Sequence, residues 1–468
     1  MRQRLGIIVV ALCIFPVMTP PVAAQDAEPP RPDVRPEGTP EQRFFDWTRL
    51  PFPVEEYAVR RRRLFEAIGD VDGVILIPSG RGLSHGETFR QADDFLYFTG
   101  LELPGAVLIL DVPSRRPTLF VPDRDFRFEN ASRPNDFPGR PLGTDTMLAS
   151  SSGIADFRPI DQLDVVLSGW ARNSVPVHVN AGRGGEIRRV VTTLIPDWDP
   201  QLLSLFHLQT TYPALPLQNA FDAVARTRMI KSPAEIEALQ RSIDATAAAI
   251  RTAARRIRSG VTERGLEAAF EGACKDNGAQ RTAFAPIIKS GPNSLWPWRV
   301  LASHYDRRNR ALQDGELVIF DVGCEVDYYV SDVGRTFPVS GVFGDEQRRV
   351  LEMEVAVSDA IMAQIRPGIT FHDLQAIAIA SVPREHRPFM QAGLFFGHHI
   401  GLSTSDPSLP VLPLEPGMVF TVEPWYYNHE TGISVFTEDV VLVTDDGVEI
   451  LTAELPRSPA ELQRLVRP

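Results

Sequence analysis

The chain has 468 residues, a formal net charge of −12 at pH 7 and three cysteines. That length supports two domains with cores of their own. The acidic balance excludes nucleic acid as the main partner, and the cysteines are too few for a disulfide-built scaffold.

Residues 1–24 read as a secretory signal. Arg2 and Arg4 form the basic region, and Leu5 to Met18 is apolar but short for a bilayer span and interrupted by Pro16. Val22-Ala23-Ala24 offers small residues for cleavage before Gln25. The chain is therefore expected to be exported, periplasmic or secreted, with no membrane span. Removal of the signal leaves Cys274 and Cys324. The two have the option of a disulfide in an oxidising compartment, but the expectation is a buried free thiol at Cys324. Residues 25–42, rich in Pro and charge, read as a disordered linker.

An α/β domain is expected over residues 43–216. It opens with a helix near Val54 to Ile68. Within it the run Arg60-Arg61-Arg62-Arg63 follows Glu55-Glu56, and the Glu56–Arg60 spacing predicts a solvated helix face. Strands are predicted at Val74 to Ile77, Phe95 to Phe98, Ala106 to Leu110, Thr118 to Val121 and Val175 to Val179. Gly182-Arg183-Gly184-Gly185 lacks the Gly-Lys-Ser/Thr of a phosphate cradle and reads as a turn.

Residues 217–468 form the second expected domain. Ser232-Pro233-Ala234-Glu235 has the form of a capping box with proline at the first helical position. The helix it opens runs towards Arg258, and a second lies between Thr262 and Gly278. Strand residues Thr282 to Ile288 precede a hairpin around Asp321 and Asp332. The order then recurs: a helix from Asp345, another capped by Thr370 with Asp373, a loop with His398 and His399, and a hairpin around Glu423 and Glu438. Two structural half-repeats packed face to face follow from this order, each donating an acidic pair to one centre.

Both hairpins place like charges on one face. With the first turn centred on Val326-Asp327, Asp321 faces Asp332. With the second centred on His429-Glu430-Thr431-Gly432, Glu423 faces Glu438. Two carboxylates about 5 Å apart at an effective dielectric near 20 repel by roughly 3 kcal/mol. The apolar run Leu317-Val318-Ile319-Phe320 argues that the first hairpin is buried. Four buried carboxylates call for two divalent cations. Oxygen ligands with one imidazole, from His398 or His399, suit ions such as Mn2+ rather than structural zinc. Two such ions can activate water and polarise a carbonyl or phosphoryl group.

The segments FDVGCEVDYYVSDVGRTFPVSG, GHHIGL, EPGMVFTVEP and TEDVVLVT, with FRQADDFLYFTGLELPGAVLIL (Phe89 to Leu110) in the first domain, resemble the pita-bread metallopeptidases, and within them aminopeptidase P. The resemblance covers nearly all of the chain after the signal. It implies an aminopeptidase P-like N-terminal α/β domain and an α+β pita-bread catalytic domain with an internal two-fold pseudo-repeat. It implies the ligand set Asp321, Asp332, His398, Glu423 and Glu438 for two ions, with Asp332 and Glu438 shared between them. It assigns the ligand role to His398 rather than His399, a catalytic proton to Glu423, and substrate contact to His304. The implied activity is cleavage of an N-terminal Xaa-Pro bond in peptides with proline second, in a homo-oligomer. A prolidase acting on Xaa-Pro dipeptides and a weakly catalytic peptide-binding relative are the alternatives. Three positions depart from the pattern: Leu394 and Ser405 stand where similar enzymes have histidine, and Phe436 where they have arginine.

Overall fold

The computed structural model describes residues 50, 52–80, 89–122, 146–184, 200–295, 309–390 and 397–466. The expected signal and linker, His304 and Leu394 lie outside them.

The N-terminal unit is built on a mixed six-stranded sheet. Its strands are β1 (Val74–Pro78), β2 (Val107–Asp111), β3 (Arg116–Val121), β4 (Asp156–Pro159), β5 (Val177–Val179) and β6 (Leu217–Asn219), in the order β4-β3-β2-β1-β5-β6. The β2–β3 hairpin turns at Val112 to Arg115, where Arg115 takes positive φ. Strand β6 pairs with β5, so this sheet extends past residue 216 into the segment assigned from sequence to the second domain. A three-residue strand directly after Pro216 carries too little periodicity to be read.

Two sequence expectations fail here for one reason. Phe95 to Phe98 is not a strand but the centre of helix α2 (Asp93–Thr99), with acidic residues in its first turn and Gly100 in the left-handed conformation at its end. Phe95, Leu96, Tyr97 and Phe98 are all buried, so no polar face betrays the helical period. The arginine run of α1 (Val54–Ile68) is a solvated face only in part: Arg62 is exposed, but Arg60 is 1% and Arg61 4% exposed. Arg60 does pair with Glu56 at 3.0 Å. It also lies 4.3 Å over the Tyr97 ring and donates to Tyr329 Oη at 3.2 Å. Arg61 donates to the Phe98 carbonyl at 2.7 Å. Both helices are packed between the two domains. One hydrophobic core runs from Tyr57, Leu64 and Phe98 of the first domain to Tyr329, Ile400 and Val419 of the second.

In the catalytic unit α7 (Pro233–Ala254) starts at the Ser232–Glu235 capping box and packs on α8 (Glu263–Asp276), which Thr262 caps. The second helical pair, Asp345–Met362 and Phe371–Ser381, repeats the arrangement, with a Thr370–Asp373 capping box on the latter. Each pair leads to a hairpin. The first comprises β9 (Leu317–Val322), β10 (Cys324–Val326), β11 (Tyr329–Val330) and β12 (Val333–Pro338). The second comprises β13 (Val419–Val422), β14 (Trp425–Asn428), β15 (Ile433–Phe436) and β16 (Asp439–Val443). The two meet where Gly334 and Glu438 exchange backbone hydrogen bonds of 3.0 and 3.3 Å.

Cys324 is not a free thiol. It is bonded to Cys274 of α8, and both are fully buried. The helix packs against the sheet carrying β10, which a reading of isolated segments does not reveal.

Candidate metal centre

The first hairpin turns one residue later than expected. Its turn residues are Asp327 and Tyr328, both at positive φ, and its pairs are Val326↔Tyr329, Glu325↔Val330 and Val322↔Val333. Positive φ is costly for a bulky residue such as tyrosine. Here it is enforced from the other domain: the Tyr328 hydroxyl donates to Glu102 and accepts from the Gln91 amide. In consequence Asp321 faces Gly334 rather than Asp332. Moving the turn centre by one residue changes each partner by two, which preserves the face. Asp332 therefore stays on the side of Asp321, and their carboxyl groups lie within hydrogen-bonding reach.

The second hairpin keeps the expected register. The pairs Val422↔Asp439 and Trp425↔Phe436 bracket Glu423 and Glu438, which leave adjoining strand ends into the same space. The hairpins can approach because residue 334 is glycine. A Cβ there would lie 2.3 Å from the Phe436 ring and 2.9 Å from the Glu438 Cβ.

Asp332, His398 and Glu438 each present a ligand atom within 4.8 Å of the others. His398 Nε2 is 3.7 Å from Asp332 and 3.5 Å from Glu423 Oε1. Its Nδ1 lies 3.3 Å from the His399 carbonyl; a proton there leaves Nε2 as the acceptor facing the carboxylates. Burial lowers the His398 pKa, which favours the neutral, metal-ligating form. Thr421 couples two members of the site. Its Oγ1 accepts from the His398 amide at 3.0 Å and donates to Glu423 at 3.3 Å. Gly397, at φ +83°, is required beside it: a Cβ would sit 2.0 Å from Thr421 Oγ1. His399 turns elsewhere. It is buried, stacks on Phe371 at 5.1 Å, and its pKa is lowered to about 3, first by burial and then by Lys231.

The carboxylates are 1–6% exposed. Among the described residues no Lys or Arg pairs with Asp332, Glu423 or Glu438, and no donor reaches Asp332 Oδ1 or either oxygen of Glu438. Burial, then Asp321 and Glu423, pushes the Asp332 pKa well up. Burial, then Asp332 and Glu423, does the same to Glu438. Burial, then Asp321, raises Glu423 to about 8. Unpaired buried anions are strongly unfavourable, and dications supply the missing counter-charge. The orphaned oxygens and the oxygen-rich donor set thus fit divalent metal.

Arg335 and Thr421 were not singled out from sequence. Arg335 is buried and donates to the carbonyls of Gly334 and Glu438 and to Asp439 Oδ1, clamping the junction of the hairpins. A lone arginine in the strand VGRTFP was its only signal. Of the departures, Ser405 is exposed. Phe436 is fully buried and stacks on Trp425 with ring centroids 4.0 Å apart. Aromatic packing thus occupies the place where the resemblance leads one to expect a guanidinium.

Comparisons with known proteins agree with this architecture. Residues 237–445 match metallopeptidase family M24, and residues 57–178 match the aminopeptidase P N-terminal domain. Intermediate cleaving peptidase 55, mitochondrial, of Arabidopsis thaliana is 28% identical over 440 residues, covering 88% of this chain and 83% of that protein. Xaa-Pro aminopeptidase of Escherichia coli K12 is 28% identical over 459 residues, covering 88% and 97%. The structure of a putative aminopeptidase P from Bacillus anthracis superposes with a TM-score of 0.75 at 25% identity, covering 88% and 98%. Fold and site together define a metallopeptidase with a pita-bread catalytic domain. Within that class the chain belongs to the aminopeptidase P group of family M24.

Proposed function

We propose that the chain is an exported metallo-aminopeptidase that hydrolyses the bond between an N-terminal residue and a following proline. The observation that carries this reading is the buried meeting of Asp332, His398 and Glu438, with Asp321 and Glu423 beside them. These five residues would hold two divalent ions, with Mn2+ well suited to the donor set. When bound, such ions polarise a carbonyl and make water nucleophilic at neutral pH.

The chain's own groups do the rest. Thr421 fixes Glu423 and the backbone of His398 relative to each other. Glu423, 3.5 Å from His398 Nε2, is the proposed carrier of a proton to the departing prolyl nitrogen. His304 is the proposed substrate contact. Export is supported by the expected signal and by the buried Cys274–Cys324 disulfide, a bond that persists in oxidising compartments.

The test is metal analysis together with turnover of an Xaa-Pro-Yaa tripeptide, an Xaa-Ala-Yaa control and an Xaa-Pro dipeptide. Metal-dependent cleavage of the first alone is expected. Cleavage of the dipeptide alone makes the protein a prolidase, and binding without cleavage makes it a peptide-binding relative.

A further inference from the structure

Arg183 lies in the turn after β5 and reaches across to the catalytic domain. Its Nη2 donates to the Ser408 carbonyl at 3.0 Å and to Ser408 Oγ at 3.3 Å. Among the described residues Nε and Nη1 make no hydrogen bond, and no carboxylate pairs with the guanidinium. Arg183 and Ser408 line a cleft of about 620 Å3 whose wall also includes His398, Phe371, His372 and the 81%-exposed Val411. That volume is in the range of small-ligand sites, roughly 300–1,000 Å3. No carboxylate occurs among the described residues lining it. At Gly397 the cleft backs onto the acidic centre, since a Cβ there would come within 2.6 Å of Glu423 Oε1.

With dications neutralising the carboxylate cluster behind Gly397, the charge left in the cleft wall is the guanidinium, which has no counter-charge among the described residues. A peptide brings a carboxylate at its C-terminus. A simple latch between the domains would need only a neutral donor to Ser408. A full charge, with part of its planar fork unengaged, suits a carboxylate that arrives with the ligand.

We propose that Arg183 is a specificity-determining residue that pairs with a carboxylate of the substrate beyond the proline, so that short peptides with a free C-terminus are preferred. The proposal rests on the aminopeptidase reading above. The carboxylate has two sources: the C-terminal α-carboxylate of a tripeptide, or an acidic side chain further along a longer peptide.

The metal-loaded wild-type protein, Arg183→Gln and Arg183→Lys should be compared on Xaa-Pro-Ala, Xaa-Pro-Ala-amide and Xaa-Pro-Glu-amide. For an exposed charge-assisted pair the free acid is expected to exceed the Ala amide by about tenfold in kcat/KM, mostly through KM. Arg183→Gln should erase that preference while leaving the Ala amide within about twofold, and Arg183→Lys should retain part of it. Recovery on the Glu amide in the wild-type protein alone assigns the pairing to an acidic side chain as well; no recovery restricts it to the C-terminus. Equal wild-type rates on acid and Ala amide, or an Arg183→Gln loss shared by both, overturn the role of Arg183 while the aminopeptidase reading stands. Failure to cleave any of the three removes that reading and this one with it.

Discussion

In the second hairpin one register holds from Val419↔Leu442 through Trp425↔Phe436 to Asn428↔Ile433. The first also keeps one register, from Leu317↔Pro338 through Val322↔Val333 to Val326↔Tyr329, and each hairpin is interrupted at its acidic pair; the difference is the turn, which in the first is Asp327-Tyr328 at positive φ. Glu423 and Glu438 arrive by local pairing around an exposed loop. Asp321 and Asp332 arrive because the hairpin is fastened from outside: to Glu102 and Gln91 through Tyr328, and to α8 through Cys324. Half-repeats with the same element order thus reach one centre by different means. One relies on sequence-local geometry and the other on tertiary anchors. Arg335 joins them at Gly334 and Glu438.

Several measurements can break or sharpen that contrast. The largest effect is expected for the metal-free protein, where both hairpins hold unpaired carboxylates. Folded pKa values above the unfolded ones mean that the native state binds more protons, so stability falls as pH rises across the interval. For Glu423 the interval runs from 4.5 to about 8. Thermal unfolding of chelated protein should show Tm decreasing over this range, and added Mn2+ should remove most of the decrease, because the ions bind the deprotonated ligands. A flat profile would mean that the carboxylates are compensated by other means.

Next is the covalent anchor. Replacing both cysteines, Cys274→Ser with Cys324→Ser, should cost about 2–4 kcal/mol in denaturant unfolding. It should also loosen the first hairpin specifically, visible as faster amide exchange in β10 and β11 than in β14 and β15. Equal protection in the two hairpins would argue against the contrast. Smaller still is the hydroxyl anchor. Tyr328→Phe leaves Glu102 and the Gln91 amide without their partner and should cost about 1–2 kcal/mol. The matched change in the second turn, Glu430→Ala, alters an exposed side chain and should stay within about 0.5 kcal/mol.

The same contrast explains what was legible in the sequence. The second hairpin was read with its register correct because alternation and the loop at 429–432 determine it. The first was read with the right face and the wrong partner, since Tyr328 takes positive φ only through residues more than two hundred positions away. The disulfide likewise joins residues separated by 50 positions and gave no local sign. Burial misled in α1 and α2: a buried arginine has the same letter as an exposed one, and a helix apolar on every side has no visible period. The half-repeat was legible because Thr262 and Thr370 cap the second helix of each pair. The aromatic infill at Phe436 was noticed as a departure, but its stacking on Trp425 became apparent only in three dimensions.

The central claim concerns charge compensation, and calorimetric titration of the chelated full-length protein with Mn2+ addresses it without reference to turnover. Two ions bound per chain, with uptake lost or greatly weakened in Asp332→Asn and in Glu438→Gln, is the predicted result. Absence of binding, or binding indifferent to both substitutions, would contradict the account.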